Sequence, residues 1–123
     1  MQSDREKFKN DFKKRIYHFV LETVRFLDTL PRDMVTRRII DQLIRSAGSI
    51  LANYVEGQAA SSKKDFTNFF SHSLKSANES KVWFALLRDS GRAKAENTNH
   101  FLKELDELSK IFARSIITLK EKK

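Results

Sequence analysis

Apolar side chains recur along most of the chain at steps of three and four, the pattern of helices buried on one face. The most strongly patterned stretch runs from Ile39 to Gly57. Ile39, Leu43, Ala47, Ile50 and Tyr54 form one row, and Ile40, Ile44, Leu51 and Val55 form a second row beside it. Residues placed at about 100° intervals make the combined apolar sector roughly 160° wide, against about 100° for an ordinary surface helix. A helix with this sector is expected to have neighbours on more than one side.

Three further stretches repeat the pattern. Phe8, Phe12, Ile16, Phe19, Thr23, Phe26 and Leu30 mark a first helix over about 4–29, with Asp4 and Glu6 suiting the dipole at its start. Asp28-Thr29-Leu30-Pro31 breaks it. Pro31 suits the first turn of the second helix, about 32–56, where its missing N–H costs nothing. Gly57 reads as the residue just past the end of that helix, free to adopt the left-handed conformation. Ser62-Lys63-Lys64-Asp65 fits the S-x-x-[DE] start signal of a third helix, about 62–90, closed by Gly91. Phe66, Phe70, Ser73, Ala77, Ser80, Phe84 and Leu87 face one way on it, and the small residues in that row admit a neighbouring backbone closely. The fourth helix, about 95–120, carries Phe101, Leu105, Leu108, Phe112, Ser115 and Leu119. Four long helices with short connections predict one all-α domain over residues 1–123, an up-down-up-down antiparallel four-helix bundle. Val82, Trp83 and Leu86 lie well off the row of the third helix. An apolar cluster with a tryptophan in water is a candidate contact between copies of the chain.

Composition narrows the function classes. A length of 123 residues suits a single domain with a real core. There is no cysteine, so neither a disulfide framework nor a thiolate metal site exists. No apolar run approaches 18 residues. The first residues, MQSDREKFKNDFKK, are charged throughout and lack the apolar centre of a signal peptide, so a cytoplasmic location is expected.

The formal charge is +8 and the isoelectric point about 9.9, which favours an acidic partner, nucleic acid being the commonest. In the predicted topology the start of helix one, the connection between helices two and three, and the C-terminal residues share one end. That end carries eleven Lys and Arg against six Asp and Glu, a balance of +5, while the opposite end balances to zero. Lys13, Lys14, Arg15, Lys63 and Lys64 are the candidate phosphate-binding residues, with Lys120, Lys122 and Lys123 adding to the same end. In a ring of copies these ends would line one rim.

The stretch Arg45-Ser46-Ala47-Gly48-Ser49-Ile50-Leu51-Ala52-Asn53-Tyr54-Val55-Glu56-Gly57 resembles the RSA-x-SI-x-AN-xx-EG signature of small bacterial four-helix-bundle proteins encoded in intervening sequences of 23S ribosomal RNA genes. These are related to the accessory (Avd) proteins of diversity-generating retroelements. The similarity continues through Ser62, Asp65-Phe66, Phe69-Phe70 and Ser76-Ala77-Asn78-Glu79, and ends near Leu87-Arg88-Asp89-Ser90-Gly91. It covers helices two and three in detail, and helices one and four by length and pattern. The resemblance implies a bundle that assembles into a homopentamer. In the retroelement relatives it implies contact with a reverse transcriptase and with RNA.

The chemistry-bearing residues point away from catalysis. Arg45 and Glu79 sit mid-helix on adjacent helices and suit an ion pair that fixes register. Asn53 and Glu56 suit bracing of a loop or an interface. Ser46, Gly57, Asp65 and Phe66 share the motif and read as structural. A di-iron site needs two Glu-x-x-His pairs, but the residues three before His18, His72 and His100 are Arg15, Phe69 and Asn97. A helical ribonuclease of the HEPN type wants Arg followed by His at four to six residues, whereas Arg92 and His100 are separated by seven. There is no glycine-rich phosphate loop and no Ser-His-Asp set to nominate. The expectation is therefore a non-enzymatic, basic, oligomeric nucleic-acid-binding adaptor without metal or cofactor. The alternative is a protein-interaction scaffold that binds no nucleic acid in the cell.

Overall fold

Three short polar side chains set where helices begin. Ser3 accepts from the Glu6 N–H at 3.2 Å, Asp33 from the Thr36 N–H at 3.2 Å, and Ser62 from the Asp65 N–H at 3.1 Å. Each satisfies a donor that the first turn would leave orphaned. Asp33 also accepts from the Thr36 hydroxyl at 2.6 Å, and these bonds hold its carboxyl below the usual range. The computed structural model describes residues 3–121 and contains α1 (Asp4–Leu27), α2 (Met34–Gln58), α3 (Lys63–Asp89) and α4 (Ala95–Glu121). Lys122 and Lys123 lie outside the described residues.

The helix ends differ from expectation at two places. Pro31 lies in the connection before α2 rather than in its first turn, because Asp33 supplies the cap and Met34 the first helical residue. Gly57 does not end α2. It is buried inside the helix, and a Cβ built there would come within 3.1 Å of the Phe69 Cβ. It is glycine for close approach to α3, and the chain leaves the helix two residues later without a left-handed turn. Gly91 does end α3 in the left-handed conformation, with φ at 75°. The Arg92 N–H then reaches the Leu87 carbonyl at 2.9 Å and the Gly91 N–H the Arg88 carbonyl at 3.1 Å, the paired bonds of a Schellman stop.

The four helices pack as a square, with α1 against α2, α2 against α3, α3 against α4 and α4 against α1. Connections of four to six residues make successive helices antiparallel. The α2–α3 side is the closest. Ser46 and Ser80 hydroxyls meet at 2.8 Å, Ser76 donates to Ser49 at 3.0 Å, and Ser73 donates to the Ile50 carbonyl at 3.0 Å. Ala47 and Ala77 are fully buried beside them. The α1 and α4 side is filled by rings. Phe12 meets Tyr54 edge-on at 5.2 Å and Phe112 at 5.4 Å, and Phe101 lies between Phe19, Phe26 and Phe84.

The predicted rows are buried where neighbouring helices cover them: Phe12, Ile16 and Phe19 on α1, Ile39 to Tyr54 on α2, Phe70 to Leu87 on α3 and Phe101 to Phe112 on α4. Phe8 is an exception at 58% exposed. It falls one turn before the covered part of α1 and rests on Phe12 at 6.0 Å instead. No helix among the described residues is long and apolar enough to cross a membrane.

Candidate nucleic-acid interface

The opening turns of α1 and α3 and the closing turns of α2 and α4 converge at one end of the bundle. Tyr54, near the end of α2, ties this end together: its hydroxyl donates to the Lys9 carbonyl on α1 at 3.1 Å. Burial pushes its phenol up to about 12, since ionisation there has no solvent to support it. Beside Tyr54 an open groove of about 320 Å³ has Phe8, Phe12, Phe66 and Phe70 along it and Arg5, Lys9 and Arg114 around it. Phe66 stacks on Phe70 with centroids 4.4 Å apart and planes at 30°. Among the described residues no carboxylate lines the groove.

The sequence-derived cations are distributed unevenly around this end. Lys13 borders a small hollow with Glu6, Lys9, Asn10, Tyr54 and Gln58, adjoining the groove. Lys13 and Lys14 also line a second hollow on the outer face of α1, with Lys7, Asp11 and Tyr17. Lys63 and Lys64 are exposed in the first turn of α3, one turn before Phe66, and line neither of these hollows.

Arg15 does not belong with them. Its guanidinium grips Glu104 through two bonds, at 2.9 and 2.6 Å, and reaches Glu107 at 2.8 Å. The bond to Glu104, with the charge of both carboxylates, raises its pKa above the ordinary value. Arg15 is an α1–α4 brace whose charge is already compensated. Arg114, which falls outside the basic end when the chain is divided by sequence position, faces the groove instead. A helix of 27 residues has several turns near its end, and only the packed rotation of α4 shows which of them looks inward to this groove.

The family-motif residues serve the α2–α3 packing. Arg45 donates to Glu79 across the two helices and to Gln42 at 3.0 Å. The Trp83 indole N–H donates to the same Glu79 oxygen at 3.1 Å. Trp83 is half-buried against the core, so it is a brace for the ion pair as well as a surface group, unlike the fully solvated position expected from its place off the row. Val82 and Leu86 do stand in solvent, at 60% and 42% exposed. Asn53 braces its own helix rather than a loop: its amide donates to the Ser49 carbonyl and hydroxyl, both at 2.9 Å. That holds Ser49 where Ser76 reaches it. Glu56 is exposed. Ser46 lies in the seam, and Asp65 and Phe66 form the first turn of α3.

Two other surfaces stand out. His18 and His100 both meet Glu22 in a hollow between α1 and α4, His100 at 3.2 Å, beside the carboxylates held by Arg15. Among the described residues no group of His, Cys, Asp and Glu is arranged to hold a metal ion. On α2, Ile44, Gly48, Leu51 and Val55 follow one another at steps of three and four, and Ile44 and Val55 are exposed. A Cβ on Gly48 would meet nothing within 4 Å. Nothing among the described residues requires a glycine at that mid-helix position, where it costs about 1 kcal/mol relative to alanine.

The chain matches the model of the 23S rRNA-intervening sequence protein family over residues 9–114. A crystal structure from Bacteroides thetaiotaomicron VPI-5482, described as a protein with unknown function from the S23 ribosomal protein family, superposes with a TM-score of 0.77 at 27% identity. The match covers 88% of this chain and 96% of that one. No curated protein matches. The matched span holds the α2–α3 seam and the whole motif, and the chain belongs to the 23S rRNA-intervening sequence protein family.

Proposed function

We propose that this chain is a non-enzymatic, oligomeric adaptor that holds nucleic acid by its phosphate backbone at the basic end of the bundle. The observation that carries the reading is the convergence of Arg5 and Lys9 from α1 and Arg114 from α4 around a groove that no carboxylate lines among the described residues, with Lys63 and Lys64 exposed at the same end of the bundle. Lys13, Lys14, Lys63 and Lys64 are the outer contacts of that surface. Ammonium groups on exposed stems follow a polyanion with little sequence preference, and binding weakens steeply with salt.

Copies of the chain in a pentameric ring, as the family resemblance implies, would set these ends on one rim and multiply the contacts. The rows on α2 and the Val82–Leu86 patch on α3 are the apolar surface available for such assembly. In that arrangement the adaptor presents RNA to a protein partner, and a reverse transcriptase is the partner suggested by the retroelement relatives. Native mass measurement at micromolar concentration tests the assembly; a strict monomer removes the rim.

Neutralising Lys13, Lys14, Lys63 and Lys64 together is expected to flatten the slope of log affinity against log salt by about 3, since each lost phosphate contact removes about 0.7–0.9. An unchanged slope sinks the assignment. The exposed Val82 and Leu86 favour a second reading, a scaffold that contacts proteins alone. Equal affinity for duplex, single-stranded RNA and heparin supports that one, because generic polyanion attraction is then all that remains.

A further inference from the structure

We infer that the groove at the basic end is a seat for an unpaired base of single-stranded RNA, stacked on Phe8 and Phe66 with its flanking phosphates on Arg5, Lys9 and Arg114. This rests on the nucleic-acid reading above and goes beyond it, because backbone attraction alone gives no preference for unpaired strands.

Phe8 is the first observation. A phenylalanine 58% exposed at the mouth of a groove is not needed by the core, which closes over Phe12 one turn later. Its ring is stacked on Phe12, with planes at 23°, so its other face is the one available to a flat ligand. Phe66 lines the groove too, held in place by its stack on Phe70. An exposed ring and a fixed ring flanking one groove suit a planar, polarisable group. Nucleobases are such groups, and every base has a π-face to offer.

The second observation is electrostatic. Arg5, Lys9 and Arg114 take part in no ion pair among the described residues. They border a groove with no acid among the described residues of its lining, and with Glu6 confined to the adjoining hollow an anion entering there meets a local excess of positive charge. The other hollows differ: the two that carry lysines of α1 each hold an acid, Glu6 in one and Asp11 in the other. Between α1 and α4, Glu22, Glu104 and Glu107 line the surface and disfavour phosphate. Between α3 and α4, Lys81 is paired to Asp106 and Arg88 to Asp89, and no aromatic ring lines the surface. Rings and free cations together match the recognition of single strands, where stacking and backbone contacts combine.

The third observation favours RNA over DNA. Gln58, Ser115 and Thr118 border the same groove. Ser115 spends its donor on the Ile111 carbonyl at 2.8 Å, which leaves its oxygen as an acceptor, and Gln58 offers both a donor and an acceptor. A ribose 2′-hydroxyl, itself donor and acceptor, can bond to such groups, whereas deoxyribose cannot.

The test uses the whole chain and short oligonucleotides carrying one 2-aminopurine, whose fluorescence falls on stacking. Single-stranded RNA is expected to bind about tenfold more tightly than a blunt RNA duplex of equal charge, with quenching of the probe. Phe8→Ala is expected to lose about tenfold on the single strand, to leave duplex affinity and the salt slope unchanged, and to keep the helical circular dichroism, because Phe8 is outside the core. Phe8→Trp restores the quenching. Arg114→Gln lowers the single-strand salt slope by about 0.7. Single-stranded DNA equal to RNA in every arm overturns the ribose part. Salt-dependent binding without any single-strand preference, or indifferent to Phe8→Ala, overturns the base seat while leaving the phosphate reading standing. Loss of native mass in Phe8→Ala with unchanged RNA affinity also overturns it, by assigning the groove to a second copy. Absence of salt-dependent binding to every oligonucleotide defeats the underlying reading instead.

Discussion

The two sides of this bundle are built by opposite means. Between α2 and α3 the residues are small: Ser46, Ala47, Ser73, Ala77, Ser80 and Gly57 bring the backbones close, and hydroxyl bonds cross the gap at 2.8–3.0 Å. Around α1 and α4 the residues are large, and rings 5–6 Å apart fill a wider gap. The close side specifies register, since the Ser46–Ser80, Ser76–Ser49 and Ser73–Ile50 bonds form only in this alignment and a shift by one residue would break all three. The ring side supplies volume, since aromatic rings bury much area but tolerate small rotations. The first side should therefore fail when atoms are added, and the second when atoms are removed.

Phe112→Ala tests the ring side most sharply. Phe112 is fully buried among Phe12, Tyr54 and Phe70, and its truncation is expected to cost about 3–5 kcal/mol by denaturant melting. A loss under 1 kcal/mol would mean that α1 closes onto the space, and the two sides would then not differ in kind. Gly57→Leu tests the close side. The Phe69 Cβ belongs to the α3 backbone frame and cannot swing aside, so overpacking is expected to cost about 2–3 kcal/mol despite the gain in helix propensity. Neutral or improved stability would show that α2 and α3 can part freely.

Tyr54 joins the two sides, and pH separates its contribution. Its phenol stays neutral in the fold up to about 12, whereas the unfolded chain ionises it near the ordinary 10. The folded group holds its proton more tightly, so its stabilisation is complete below pH 10 and is lost as pH rises toward 12. The native chain is expected to lose up to about 2 kcal/mol more than Tyr54→Phe across that interval. Parallel alkaline curves for the two proteins would place the phenol in water.

Helix rows are legible in the sequence because burial follows rotation about a single axis. Ile39, Leu43, Ala47, Ile50 and Tyr54 are all buried, as the period requires. The cap at Ser62 and the stop at Gly91 are legible for the same local reason. Gly57 is not, because a glycine that ends a helix and a glycine that admits a neighbour look alike until the neighbour is placed. Phe8 continues the row of α1 by spacing, yet a row says nothing about where the covering helices stop. Arg15 and Arg114 exchange roles for a similar reason. Counting charges along the chain sees the basic residue but not Glu104, 89 positions away, nor the rotation that turns Arg114 toward the groove. Local patterns read well, and pairings between distant segments do not.

The groove at the basic end has a consequence for motion. Beside Tyr54, Phe66 and Phe70, its walls are the opening turns of α1 and the closing turns of α4, the places where helices fray first. A strand lying across Arg5, Lys9 and Arg114 would fasten two loose helix tips to each other. Amide protons near residues 6–10 and 114–119 would then exchange with deuterated solvent more slowly as the oligonucleotide is titrated in, while those of the serine-lined seam would keep their pace.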